Sequence, residues 1–195
     1  RSFFGGGEPQ TQGMSAEWAA DQWKVHVDKW SHQIAALRAR GTRVTTPMFT
    51  DHGAPAWEKF QRFFARCGSG CSDPTSKYYI DVLVTNQWLG FPKSAHRRQE
   101  NWIKNMVSTI RQENGNRPVV LGNFAWIRAV NADEHAEAIL TSRIFDSSWS
   151  GLEAVFYFAA TDYGDVTANN FLADPTSTGS TVGAALIERC RALNL

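Results

Sequence analysis

The chain reads as an α/β protein, a parallel sheet with helices packed outside it. Two observations predict this class. Short apolar runs alternate strictly with amphipathic helical stretches, giving about five strand–helix units along the 195 residues. The strand-like runs are also nearly continuous in aliphatic residues, as at Ile80, Val82, Leu83 and Val84, which suits strands covered on both faces.

Each element has its own signal. Ser2 to Phe4 ends a strand and is followed by Gly5-Gly6-Gly7-Glu8-Pro9. Ser15 is a suitable N-cap. Trp23, Val27, Trp30, Ile34 and Leu37 then recur at helical spacing as core positions, and Gly41 suits the residue just past the helix end. Arg43 to Met48 reads as a strand. A helix from about Pro55 carries Trp57, Phe60, Phe63 and Phe64. Tyr78 to Thr85 is a strand. Ser94 caps a helix with Trp102, Ile103, Met106 and Ile110 on one side, and Asn114-Gly115-Asn116 stops it. Pro118 to Phe124 is a strand, Ala132 to Thr141 a helix with Asp133 and Glu134 in its first turn, and Leu152 to Ala159 the last strand. A polar loop from Ala160 to Thr178 leads to a closing helix. Val182, Leu186, Cys190 and Leu193 form its stripe, with Cys190 a buried inert thiol.

The bulk numbers bound the function. The length suits a single domain, 1–195. Lys+Arg is 20 against Asp+Glu 19, a net charge of +1, so the basic excess of a nucleic-acid protein is missing. His96-Arg97-Arg98 is too short to replace it. No apolar run is long enough to span a bilayer. No signal peptide is visible, and the opening Arg1-Ser2-Phe3 suggests a fragment or a processed chain. Cys67 and Cys71 flank Gly-Ser-Gly, close enough for a disulfide loop in an oxidising compartment. The alternative, a metal, needs more ligands than the five scattered histidines offer. No metal or organic cofactor is implied.

In parallel α/β folds ligands sit at the carboxyl ends of the strands. The residues there are Glu8, Phe49 to His52, Asn86 to Trp88, Asn123 to Trp126 and Tyr157 to Asp165. Glu8 follows three glycines, which permit a tight backbone path beside a ligand, and a carboxyl there suits a general acid. The rival reading is a solvated loop glutamate. Asn86-Gln87-Trp88 and Asn123-Phe124-Ala125-Trp126 each set amides beside an indole, a mixture that suits sugar hydroxyls and sugar ring faces. The eight Trp of the chain serve either such platforms or the core. Asp51-His52 is a strand-end pair better explained by a turn.

These motifs, in this order, resemble glycoside hydrolase family 128, the Asl-like glycosyl hydrolase catalytic domain, a β-1,3-glucanase family of the retaining (β/α)8 clan. The family's Asn-Glu-Pro strand end is similar to Gly7-Glu8-Pro9. Its Met-Ser helix start is echoed by Met14-Ser15 and Trp23. Its Gly-x-Arg-x-x-x-Pro strand resembles Gly41 to Pro47, and its cysteine turn before an Ile-Asp strand resembles Cys67 to Cys71 and Ile80-Asp81. Its His-Trp-Tyr strand end is paralleled by Gln87-Trp88-Leu89. Its Thr-Glu-Phe-Ala strand end aligns with Gly122-Asn123-Phe124-Ala125, its last strand with Val155 to Phe158, and its final helix start with Ser180 to Gly183.

The resemblance implies a TIM-type (β/α)8 barrel. This chain corresponds to about the last five units and lacks the first three. It implies Glu8 as acid/base, Asn123 at the nucleophile position, and sugar contacts from Gln87, Trp88, Trp126 and Tyr157. The partner would be a β-glucan and the location secreted or cell-wall associated. Retaining hydrolysis needs two carboxyls about 5–5.5 Å apart, one of them attacking the anomeric carbon. An amide at Asn123 does not form that ester, so a sugar cleft with crippled chemistry is expected. Two alternatives stand beside it. One is a non-catalytic subunit that completes its barrel with another chain, since a barrel without three strands exposes sheet edges. The other is an active hydrolase with displaced carboxylates, Asp162 or Asp165.

Overall fold

The computed structural model describes residues 3–4, 14–50, 54–90, 96–127, 132–157 and 181–194. They form two compact units. The first contains residues 1–86 and 108–120, the second residues 87–107 and 121–195. The strands are β1 (Phe3–Phe4), β2 (Arg43–Val44), β3 (Phe49–Thr50), β4 (Leu83–Gly90), β5 (Val119–Ile127) and β6 (Leu152–Tyr157). The helices are α1 (Ala16–Lys29), α2 (Ser31–Ala39), α3 (Ala56–Cys67), α4 (His96–Glu113), α5 (Ala132–Thr141), α6 (Ser147–Ser150) and α7 (Thr181–Ala192). A four-stranded parallel sheet runs β3-β4-β5-β6, and β1 pairs with β2 in a second parallel pair. Strands and helices alternate as the sequence predicts, except that β3 follows β2 directly and that two helices lie between β1 and β2 and between β5 and β6.

In the first unit, Ser15 caps α1 by accepting from the Trp18 amide at 3.0 Å. Ala16, Ala19, Ala20, Trp23 and Val27 are the buried stripe. The helical run expected through Leu37 breaks at Trp30, where φ is −115° and ψ 22°, and restarts as α2. The break shifts the phase of the stripe. Trp23 and Ile34 stay in the core, whereas Trp30 is 41% exposed with the Lys29 ammonium 5.3 Å from its ring centre. Gly41, at φ +81°, lets the chain leave α2.

The strand expected over Arg43 to Met48 is instead two short ones. Pro47 cannot donate to a ladder and falls between β2 and β3. Thr45 bridges Val82, and the Thr46 amide donates to the Val82 carbonyl at 3.0 Å. Strand β4 starts at Leu83 rather than Tyr78, because side chains capture the preceding backbone. Asp73 accepts from the Thr75 amide at 2.8 Å, and Ser76 accepts from the Tyr78 amide at 3.1 Å.

Helix α3 seats on β3 through aromatic edges. The Phe49 ring meets Phe60 at 5.1 Å and Phe63 at 5.7 Å between centroids, and all three are fully buried. At the end of α3 a disulfide joins Cys67 to Cys71, with Cα atoms 5.9 Å apart, as the spacing allows. Gly68, at φ +78°, makes the turn between them. On the surface Arg66 grips Asp21 with two hydrogen bonds, of 2.8 and 2.9 Å.

In the second unit, Ile103, Met106 and Val107 of α4 are buried, while Trp102 lies one step off that stripe and is 45% exposed. The same helix ends within the first unit, burying Ile110. Asn114-Gly115-Asn116 stops it as expected, with Gly115 and Asn116 both at positive φ. Helix α5 has the expected bounds. The short α6 was not legible, although Asp146 marks it by accepting from the Ser148 amide at 2.9 Å. Cys190 of α7 is half-buried rather than buried, and its thiol is free. Ser94 and the loop 160–178 lie outside the described residues.

Three outcomes follow. Phe49→Ala empties the aromatic seat and should cost about 3 to 5 kcal/mol in urea unfolding. Reduction of the Cys67–Cys71 bridge, or its double serine variant, should lower stability by about 2 kcal/mol, measured with and without dithiothreitol. The Arg66 hydrogen bonds hold the Asp21 carboxyl below the usual aspartate value. Its contribution is therefore present above the unfolded-state value and is lost as pH falls through the folded one. Asp21→Asn should flatten that part of the acid limb, below about pH 4, in a pH series of unfolding midpoints.

Candidate functional site

β4 runs to Gly90 and β5 to Ile127, further than the expected ends at Thr85 and Phe124, so Asn86, Gln87 and Asn123 lie within strands rather than just after them. In the first unit Phe49 pairs with Thr85, and Thr50 with Asn86. Side chains alternate across a strand, so each pair shares one face. Phe49 packs on α3, and the Thr85 hydroxyl donates to the Phe49 carbonyl at 2.8 Å. Phe49 and Thr85 therefore mark the helix side. Thr50 and Asn86 lie on the opposite face, and Asn86 is 1% exposed.

In the second unit Gln87 is buried, and its amide nitrogen donates to Met106 Sδ of α4 at 3.3 Å. This amide is thus engaged on the helix side of β4. On β5 the Phe124 ring stands edge-on to Phe145 at 6.1 Å and is fully buried. Asn123 is half-buried and belongs to the other face of the strand. A half-exposed amide at that level can both donate to and accept from a ligand hydroxyl.

Among the remaining predicted positions, the backbones of Trp88, Trp126 and Tyr157 lie near the carboxyl ends of β4, β5 and β6, and their side chains are outside the described set. Glu8, Asp51-His52, Asp162 and Asp165 are also outside it. Among the described residues no group of three or more His, Cys, Asp or Glu could hold a metal ion. No helix among them is long and apolar enough to cross a membrane.

Strand-end reading by residue type included Thr50 and Asn86 in the stretches 49–52 and 86–88, assigned the sugar contact to Gln87, and gave Lys59 no role. Register separates Asn86 from Gln87. Lys59 carried a legible signal: it interrupts the otherwise apolar stripe Ala56, Phe60, Phe63, Cys67 of α3.

No family model matches the chain, and no curated protein matches it in sequence. Solved structures do match. A glycoside hydrolase family 128 subgroup II endo-β-1,3-glucanase from Sorangium cellulosum superposes with a TM-score of 0.69 at 21% identity, over 96% of this chain and 70% of that one. A subgroup III curdlan-specific exo-β-1,3-glucanase from Blastomyces gilchristii gives 0.63 at 17% identity, over 92% of this chain and 66% of that one. A subgroup VII oligosaccharide-binding protein from Trichoderma gamsii gives 0.58 at 11% identity, over 100% of this chain and 70% of that one. The fold is that of the family 128 (β/α) barrels, and the chain spans about two thirds of the length of these structures.

Proposed function

We propose that the chain recognises a β-1,3-glucan at the carboxyl ends of its strands and that its retaining hydrolysis is reduced or lost. The observation that carries this reading is Asn123. It stands at the middle of β5, on the face opposite the packed Phe124, at the position that the resemblance aligns with a nucleophilic glutamate. The fold, shared with glucanases and with an oligosaccharide-binding protein, supports the substrate class. In this reading Glu8 is the acid/base residue, and Trp88, Trp126 and Tyr157 stack on sugar rings. An asparagine accepts or donates a hydrogen bond to a hydroxyl but forms no glycosyl ester, so binding outlives turnover.

A second reading has its own support. One of the structures that share this fold is an oligosaccharide-binding protein, which supports a barrel that binds without catalysing and works as a partner of another polypeptide. Such a protein is a non-catalytic subunit. A disulfide is consistent with secretion.

Laminarin binding measured by calorimetry, together with reducing-end release, tests the first reading. Binding is expected with little or no release. Asn123→Glu should then raise release at least tenfold over the parent, because it restores the second carboxyl, and Glu8→Gln in that background should remove the gain. Absence of laminarin binding by the parent, when the native particle contains this chain together with a second polypeptide, would favour the subunit. Turnover by the parent that survives Glu8→Gln and vanishes in Asp162→Asn would favour displaced carboxylates.

A further inference from the structure

Among the described residues two cations are buried, Lys59 and Arg117. Arg117 precedes β5, at the amino end of that strand, with its guanidinium 5.0 Å from the centre of Phe64 and 5.3 Å from that of Tyr79. Structural anchors commonly sit at that end of parallel strands. Lys59 is at the other end. It belongs to the inward stripe of α3 and is 7% exposed. Taking an ammonium out of water is unfavourable, and a methionine or leucine would fill the same stripe without that cost. What the ammonium adds is a strong donor, and Nζ donates to the backbone carbonyl of Thr50, the last residue of β3.

We propose that Lys59 is a positioning residue for ligand binding, one that pins the carboxyl end of β3. The proposal rests on the glucan reading only for the identity of the ligand. A held carbonyl restrains the backbone of Thr50 at the end of the strand. It also keeps Thr50 in register with Asn86, so that this pair stays on the face opposite Phe49 and Thr85. Phe60 and Phe63 hold the helix against Phe49 from the same stripe, so the lysine stem starts from a rigid base. The arrangement transmits the rigidity of the aromatic seat to the ligand end of the strand.

The test compares Lys59→Met, which keeps the stem and removes the donor, with Lys59→Arg, which restores a cationic donor. Laminarin affinity, the unfolding midpoint and amide hydrogen exchange at residues 49–50 and 85–86 are measured for each. Lys59→Met is expected to weaken laminarin binding at least tenfold and to speed exchange at those amides, with Lys59→Arg recovering affinity to within about threefold of the parent. Affinity of Lys59→Met within twofold of the parent overturns the proposal. So does a loss that Lys59→Arg fails to recover, since that marks packing rather than the hydrogen bond. If the parent itself binds no laminarin, the glucan reading fails, and exchange alone decides the pin: faster exchange in Lys59→Met sustains it and unchanged exchange removes it.

Discussion

Burial of β4 is the constraint on which the rest depends. Leu83, Val84, Thr85, Asn86 and Gln87 are all buried in succession. A strand covered on both faces keeps its backbone groups from water, so it needs a paired strand on each side. The sheet order places β3 and β5 there. A parallel neighbour is reached only by a crossover, so a helix must follow each strand. Polar residues within such a strand need partners of their own. Thr85 donates to the Phe49 carbonyl, and Gln87 reaches Met106.

The same constraint separates stability from function along a strand. Before β4, Asp81 accepts from the Val44 amide at 2.8 Å and lies 3.6 Å from the Arg38 guanidinium, a polar clamp at the amino end. Arg117 does comparable work before β5 between two aromatic rings. At the carboxyl end of β3 the corresponding device is the Lys59 hydrogen bond to Thr50. Anchoring at one end leaves the other free to vary its side chains, which is how one barrel architecture accommodates both hydrolases and binding proteins. An asparagine at residue 123 is compatible with this frame, since Phe124, on the opposite face, is fully buried against Phe145.

The sequence was most legible where a feature is local. Ser15 as a cap, Asn114-Gly115-Asn116 as a stop and the Cys67–Cys71 loop each involve residues within a few positions of one another. Alternation of strand and helix patterns likewise gave the class directly. Misreadings arose where distant partners compete. Trp30 matches a helical period, yet a break in the helix turns it outward. Tyr78 to Asp81 looks like strand by composition, yet the Asp73 and Ser76 side chains hold the approach to it in turns.

Residue types and their order by themselves determined the α/β class and the buried faces of α1 and α3, because periodicity and capping act over one or two turns of chain. Only tertiary structure decided that Gln87 faces α4 while Asn86 shares the opposite face with Thr50, and that a lysine rather than an apolar residue closes the end of β3. The physical reason is parity. Successive strand residues point in opposite directions, so the role of a side chain changes with a one-residue shift in register, and register is set by which strand and helix lie alongside.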